Sequence, residues 1–417
     1  MRTELKEGVA LTVIPTKQFK TTRITINLIT ALTATKLAKR LLLGALLECG
    51  CQKYPDQKAI ADELARMYGA GFEISSVRRG NLHFLSVSFD CVNDEFLAEK
   101  EDLLQAGFSF LQEILFRPLV SQKPAAFAAE FARQKKNVVD YAGATQDNKQ
   151  LYADLSLQKL LFDDEKQALP SFGNYQELLK ITASQLSSSY QECLNKDRIE
   201  IIVSGDVKEE RCRQLAQQLP FAARNLRKEE IFYVQEGHAL RKKEEKQKVT
   251  QGKLNLGFSL PVFFADPLYF TVLVFEGLFG GLPLSKLFVN VREKAQLAYY
   301  ASSSYDSFRG VMTVRTGLDP KNKEQALAII EAQLKDVQAG RVTQQEIEDT
   351  KKSLINEYLS GLDSQANVMQ RVLIAILTGR TLSTTSWITG IQNVTLAQIQ
   401  AAAKMTKLQA VYFLDKE

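Results

Sequence analysis

Histidine is nearly absent from this chain of 417 residues; there are only two, His83 and His238. They cannot stand four apart on one helix face, the usual seed of a catalytic zinc site. Cysteine is scarce and odd in number (Cys49, Cys51, Cys91, Cys193 and Cys212), so a disulfide scaffold is not expected and the thiols read as reduced. The longest apolar runs, Leu41–Leu47 and Phe270–Phe279, fall short of the ~20 residues that span a bilayer. No charged-then-apolar segment follows Met1, so no secretory leader is expected. Together these absences predict a cytoplasmic protein without membrane insertion.

Two further absences narrow the function. Gly277, Gly280 and Gly281 are not followed by Gly-Lys-Ser/Thr, which argues against a phosphate loop and for a flexible connector. The 53 basic residues nearly balance 48 acidic ones and are spread along the chain. Clustered cations with a binding module would mark a nucleic-acid partner, and neither is present. The run Arg241–Lys246 mixes signs and reads as a solvated face or strand edge. Cys49-x-Cys51 lacks the spacing of structural zinc pairs. His83 shares a strand face with Leu85, Val87 and Phe89, and reads as a partly buried histidine beside packed thiols. His238 lies in a polar stretch and reads as a surface residue.

What is present is a long-period duplication. Ile181-Thr182-Ala-Ser-Gln185-Leu186 matches Val394-Thr395-Leu-Ala-Gln398-Ile399 at an offset of 213 (394 − 181). Each carries Thr followed three residues later by Gln, a capping box for a helix start. Phe131–Lys136 echoes Ile347–Lys352, and Asp147 echoes Asp363, at an offset of 216 (363 − 147). A period this long is a domain duplication rather than a solenoid repeat.

The elements of the two halves run in similar order. In the first, strands are predicted at Val9–Ile14 and Ile24–Thr30, and helices at Leu37–Glu48 and Asp56–Met67. A hairpin follows over Phe72–Val77 and Leu82–Phe89, turning at 78–81. Long helices come next at Glu95–Phe116 and Ala126–Phe162, the latter broken near Gly143. After a helix at Cys212–Leu219, the boundary falls in a linker at 222–228, giving domains 1–221 and 229–417. In the second half, a strand at Lys253–Ser259 precedes a buried helix at Pro267–Leu278. Leu284, Leu287, Phe288, Val291 and Ala295 fall on one helical stripe. A hairpin over Tyr299–Ser304 and Val311–Thr316 turns at Asp306–Gly310. Helices at Lys323–Val337, Gln344–Leu359 and Gln365–Leu377 complete an α+β pattern in each half, a mostly antiparallel sheet covered by helices.

The run Gly280-Gly281…Ser285-Lys286-Leu287-Phe288…Arg292-Glu293-Lys294…Leu297-Ala298-Tyr299 resembles the second-domain signature of insulinase-type (M16) zinc peptidases. The order of elements extends that resemblance over nearly the whole chain. It implies two homologous α/β-sandwich domains and a clamshell half like those of insulinase and the mitochondrial processing peptidase. Active members also carry His-x-x-Glu-His in the first domain. Alignment through Gly50–Pro55 puts Leu41-Leu42-Leu43-Gly44-Ala45 in that place. The ligand positions are then Leu41 and Ala45, the base position is Gly44, and the third ligand position falls near Tyr141, beside Asp140. Zinc hydrolysis needs three ligands, an open position for water and a carboxylate base. Leu41, Gly44 and Ala45 supply none of that set and the lone Asp140 carboxylate would not hold zinc, so a buried helix packed on the sheet is expected at 41–45.

The resemblance also implies roles. Arg292 and Tyr299 correspond to an Arg/Tyr pair that meets substrate or transition state near the metal, through a guanidinium fork and a hydroxyl donor. Two plainer readings stand beside this: Arg292 capping its own helix, and Tyr299 as an ordinary strand aromatic. The Gly280–Gly281 segment would line the peptide chamber. The function implied is a non-catalytic subunit, with no cofactor of its own, that completes the chamber of a homologous M16 chain bearing the zinc and an intact motif. The alternative is a stand-alone peptide-binding or scaffold protein, such as a homodimeric pseudo-peptidase. Co-purification with a zinc-bearing homologue, against a lone homodimer with bound peptide, separates the two.

Overall fold

The computed structural model describes residues 2–99, 101–121, 124–170, 173, 175–226 and 229–417. Contacts divide the chain into two compact units. One comprises Met1–Gly143, Pro170–Glu230 and Ser364–Leu373; the other comprises Ala144–Leu169, Ile231–Asp363 and Ile374–Glu417.

The first unit is built on a six-stranded sheet in the order β1-β2-β6-β3-β5-β4. Its strands are β1 (Arg2–Lys6), β2 (Val9–Pro15), β3 (Thr21–Ala31), β4 (Gly71–Arg79), β5 (Leu82–Val92) and β6 (Arg198–Gly205). Only β2 and β6 pair in parallel. Period-two alternation gives the sheet two unlike faces. Ile26 of β3 lies between Val87 of β5 and Ile201 of β6, and all three are buried. One residue along, Asn27 lies between Ser86 and Glu200 on the opposite, polar face. The apolar face meets α1 (Ala34–Leu47) and α3 (Leu103–Phe116). The unit also contains α2 (Gln57–Arg66), α4 (Pro124–Gly143), α7 (Tyr175–Lys180), α8 (Ala183–Lys196) and α9 (Glu209–Gln218).

The second unit has a five-stranded sheet in the order β7-β11-β8-β10-β9. These strands are β7 (Arg241–Gln247), β8 (Gly252–Ser259), β9 (Ala298–Asp306), β10 (Val311–Leu318) and β11 (Lys407–Lys416). The mixed-charge run does form an edge strand, β7, parallel to β11. With the sheet belong α5 (Lys149–Leu161), α6 (Glu165–Ala168), α10 (Tyr269–Glu276), α11 (Lys323–Gln338), α12 (Gln344–Ser360), α14 (Thr384–Gln392) and α15 (Leu396–Met405). The core of its apolar face includes Leu254, Leu256, Phe258, Val272, Phe275, Met312 and Val314.

The units are therefore not the contiguous halves 1–221 and 229–417. The contact division changes at Glu230–Ile231, and Arg227 and Lys228 of the expected linker lie outside the described residues. Helix α5 belongs to the second unit, and the first turns of α13 (Gln365–Thr378) belong to the first. These helices start 216 residues apart (365 − 149), the offset of the internal repeat. Equivalent segments are thus exchanged, which a reading of local periodicity cannot detect. Both predicted capping boxes form, at Thr182–Gln185 and Thr395–Gln398.

Two helix starts differ from expectation. The helix predicted from Glu95 begins at Leu103, because the Asp102 carboxylate accepts from Gln105 N and residues 94–96 form a separate 3-10 turn capped by Asn93. On the predicted stripe, Leu287 and Val291 are buried but Leu284 is 69% exposed, because it precedes the helical winding.

His83 is fully buried rather than partly so, and its partner is Arg40 of α1. Arg40 Nε donates to His83 Nδ1 at 2.8 Å. The same guanidinium donates to Leu28 O at 2.5 Å, to Cys193 Sγ at 3.1 Å and to the Asp197 carboxylate. Burial, then the Arg40 charge, pushes the His83 imidazole well below its usual range. The neutral ring accepts at Nδ1, so Nε2 carries the proton and donates to Ser76 Oγ at 2.8 Å. Removing the cation would leave Asp197 buried and unpaired. Arg40→Met is expected to lower the unfolding free energy by ~3–5 kcal/mol, measured by urea melts; unchanged stability would contradict this network's role.

Candidate functional site

Helix α1 begins where the Thr33 hydroxyl accepts from Lys36 N at 3.2 Å. Gly44 faces the sheet: a Cβ there would lie 3.3 Å from Ile74 Cγ2 and 3.4 Å from Leu85 Cδ1. Leu41 and Ala45, one turn apart, are half-buried. The Cys49 thiol donates to Ala45 O at 3.0 Å, and burial pushes that thiol up to about 12, so it stays protonated and is a poor metal ligand. On α4, Tyr141 is 65% exposed. A carboxylate near the end of α1 is that of Glu130, which adds to the rise of the Cys49 thiol. It stands eleven residues before Tyr141 (141 − 130), about three turns along the same face. Arg133 and Gln134 already hold it, at 2.9 and 2.8 Å. Among the described residues no group of three or more His, Cys, Asp or Glu could hold a metal ion.

The second-domain signature winds differently from an ordinary helix. Helix α10 loosens into a π-turn at Gly277–Gly281, and a second π-helical stretch covers Phe288–Lys294. Such widened turns occur frequently at functional sites. The glycine pair has a packing reason. A Cβ on Gly280 would lie 2.7 Å from Ser303 Oγ and 2.8 Å from Leu287 Cδ1, and one on Gly281 would strike the Glu276 carboxylate. The π-turn thus rests directly on β9.

Between the turns, buried Lys286 pairs with Glu346 at 2.7 Å. Asn290 Nδ2 donates to Lys286 O at 3.0 Å and Gln333 Oε1 at 2.9 Å. The stretch ends at Gln296, whose φ of 54° lies in the left-handed region, and Leu297 N closes back on Val291 O at 3.1 Å. This reversal delivers the chain into β9, the edge strand that carries Tyr299.

The structure separates the two signature residues from the core. Arg292 is exposed, with its guanidinium 4.6 Å from the centre of the Phe288 ring. Tyr299 is 62% exposed. Neither side chain has a hydrogen bond or ion pair among the described residues, so Arg292 does not cap its own helix and Tyr299 is not a core aromatic. The adjacent Tyr300 is the anchored ring, bonded to Gln150 with Lys253 Nζ 5.2 Å above it.

Sequence reasoning missed Glu276, for which no spacing signal existed. Ser303 Oγ donates to it at 2.7 Å. Burial pushes its carboxyl up, the Ser303 bond pulls it back in part, and the Glu357 charge adds to the rise. Between the ordinary carboxyl value and this raised one, the folded chain holds a proton that the unfolded chain releases. Stability therefore falls as pH rises through that window. Glu276→Gln is expected to flatten the fall of unfolding free energy as pH rises above the ordinary carboxyl value of about 4; an unchanged slope would contradict the assignment.

Comparison with known proteins gives the family. The family model of the peptidase M16 inactive domain matches residues 180–354. The chain is 30% identical over 415 residues to the probable inactive metalloprotease YmfF of Bacillus subtilis (strain 168), covering 98% of this chain and 96% of that one. Among solved structures, a conserved protein from Enterococcus faecalis V583 is similar at 40% identity and a TM-score of 0.94, over 100% of this chain and 98% of its own. A peptidase M16 inactive domain from Pseudomonas fluorescens shares the fold at 18% identity and a TM-score of 0.82, with 100% and 98% covered. The chain belongs to the M16 peptidase family, and what it resembles there are members described as inactive.

Proposed function

We propose that this chain is the non-catalytic subunit of a two-chain M16 peptidase. A homologous partner with an intact His-x-x-Glu-His motif holds the zinc, and this chain completes the peptide-binding chamber. Arg292 and Tyr299 enter the partner's active site, where a guanidinium and a phenol hydroxyl stabilise the charge that develops on the scissile carbonyl oxygen. By itself the chain hydrolyses nothing.

One observation carries this reading. The two polar groups of the signature are held out at the surface with no bonding partner among the described residues, while Leu41, Gly44 and Ala45 offer only carbon and hydrogen. A merely decaying enzyme would have no reason to keep an exposed tyrosine on an edge strand. A cytoplasmic setting agrees with the five cysteines, all buried and free of disulfides.

The test is reconstitution with the zinc-bearing homologue. Arg292→Ala and Tyr299→Phe are each expected to lower turnover of unstructured peptides by ~10²-fold or more. Stability should stay within ~0.5 kcal/mol of the parent, as for surface changes, and the subunits should still co-elute. Full turnover in both variants would reject the assignment.

A further inference from the structure

Two tyrosines follow one another on β9 and are held in different ways. Tyr299 is 62% exposed, whereas Tyr300 is half-buried against α5. The register explains the difference. Ala298 stands opposite Leu318 and Tyr300 stands opposite Gly317, so Tyr299 is passed over and has no partner on β10. It is the extra residue of a β-bulge, a device that re-aims a side chain and recurs beside active sites.

Tyr300 is what holds the bulge in place. Lys253 of β8, Gly317 of β10 and Tyr300 form one row across the sheet. A Cβ on Gly317 would lie 2.3 Å from Tyr300 Cε1, so the ring lies over that glycine and fills the place of its missing side chain. Lys253 Nζ stands 5.2 Å from the ring centre. The phenol hydroxyl donates to Gln150 Oε1 of α5. Burial pushes this phenol up to about 12, so it keeps the proton that it donates.

The acceptor is itself fixed. Gln150 Nε2 donates to Asp154 Oδ1 at 3.0 Å, which sets the orientation of the amide. Asp154 also accepts from Asn255 Nδ2 at 2.8 Å and Arg315 Nε at 3.0 Å. Arg315 lies opposite Ser302, two residues beyond Tyr300 on the same strand face. On the other side of Tyr299, Ala298 is 8% exposed and belongs to the apolar core. An exposed phenol is thus carried by backbone that is pinned at both neighbours.

We propose that Tyr300, bonded to Gln150 and seated on Gly317, is the positioning residue for Tyr299. The inference rests on the two-chain reading, in which the Tyr299 hydroxyl meets charge developing in a partner's site. A donor of that kind works only where it is already in place, and a misplacement of ~1 Å costs up to ~10²-fold in rate. Tyr300 takes no part in the chemistry, because its hydroxyl is committed to Gln150 and its ring to Gly317.

Two variants act on the anchor by different routes. Tyr300→Phe removes the hydroxyl, and Gly317→Ala displaces the ring. In the full chain alone, hydrogen–deuterium exchange is expected to quicken at the amides of 299–301 in both. In the pair reconstituted with the zinc-bearing homologue, each is expected to lower kcat at least ~10-fold, and neither lowers it further once Tyr299→Phe is present. A folding fault alone would lower activity by the same factor in either background. Unchanged exchange in both variants would overturn the inference. So would unchanged turnover in both while Tyr299→Phe is slow, or a loss that persists in full beside Tyr299→Phe. If Tyr299→Phe turns over at the parent's rate, the role given to Tyr299 in the two-chain reading falls first, and this inference falls with it.

Discussion

The close approach of α1 to its sheet governs what this molecule can do. Gly44 lets the helix rest closely on Ile74 and Leu85, which a Cβ there would meet at 3.3 and 3.4 Å. One turn earlier, Arg40 inserts a guanidinium that is bonded to a backbone carbonyl, an imidazole, a thiol and a carboxylate. Aliphatic contact on one turn and a buried cation on the turn before it fix the helix against the sheet. The turn at Leu41–Ala45 is packed against the sheet through Gly44, one turn from the buried Arg40–Asp197 ion pair.

The sheets have a second feature in common. Each keeps one apolar face for its own helices and one polar face for a helix of the exchanged pair. In the second unit, Asp154 of α5 accepts from Asn255 at 2.8 Å and from Arg315 and Gln150 at 3.0 Å. Leu157 and Leu161 of the same helix pack among Tyr412, Ala410 and Leu414. In the first unit α13 is tied by Gln365 and Gln370 instead. Hydrogen bonds to a polar floor fix position but fill space less completely than interlocked methyl groups. Under α13 that difference leaves a trough of about 180 Å³.

Much of the architecture could be read from the chain because it rests on local rules. Alternation marked β3 and β5, the Thr-x-x-Gln boxes marked α8 and α15, and mixed charge marked the edge strand β7. The exchanged helices were not legible, since each segment has the same periodicity wherever it packs. Arg40 was also invisible: a basic residue inside an apolar helix normally faces water, and only the convergence of Leu28, His83, Cys193 and Asp197 explains its burial. Family spacing is what points to Arg292 and Tyr299 as candidates. Their exposure, the π-helical winding and the Glu276 carboxylate beneath the glycine pair depend on how the segment lies against β9, which spacing does not encode.

Metal content tests the central claim most directly. The purified chain, loaded with excess zinc and then dialysed against a weak chelator, should retain no stoichiometric metal by inductively coupled plasma mass spectrometry. One tightly held zinc per chain would contradict the account, since it would require ligands that Leu41, Gly44, Ala45 and their neighbours do not provide.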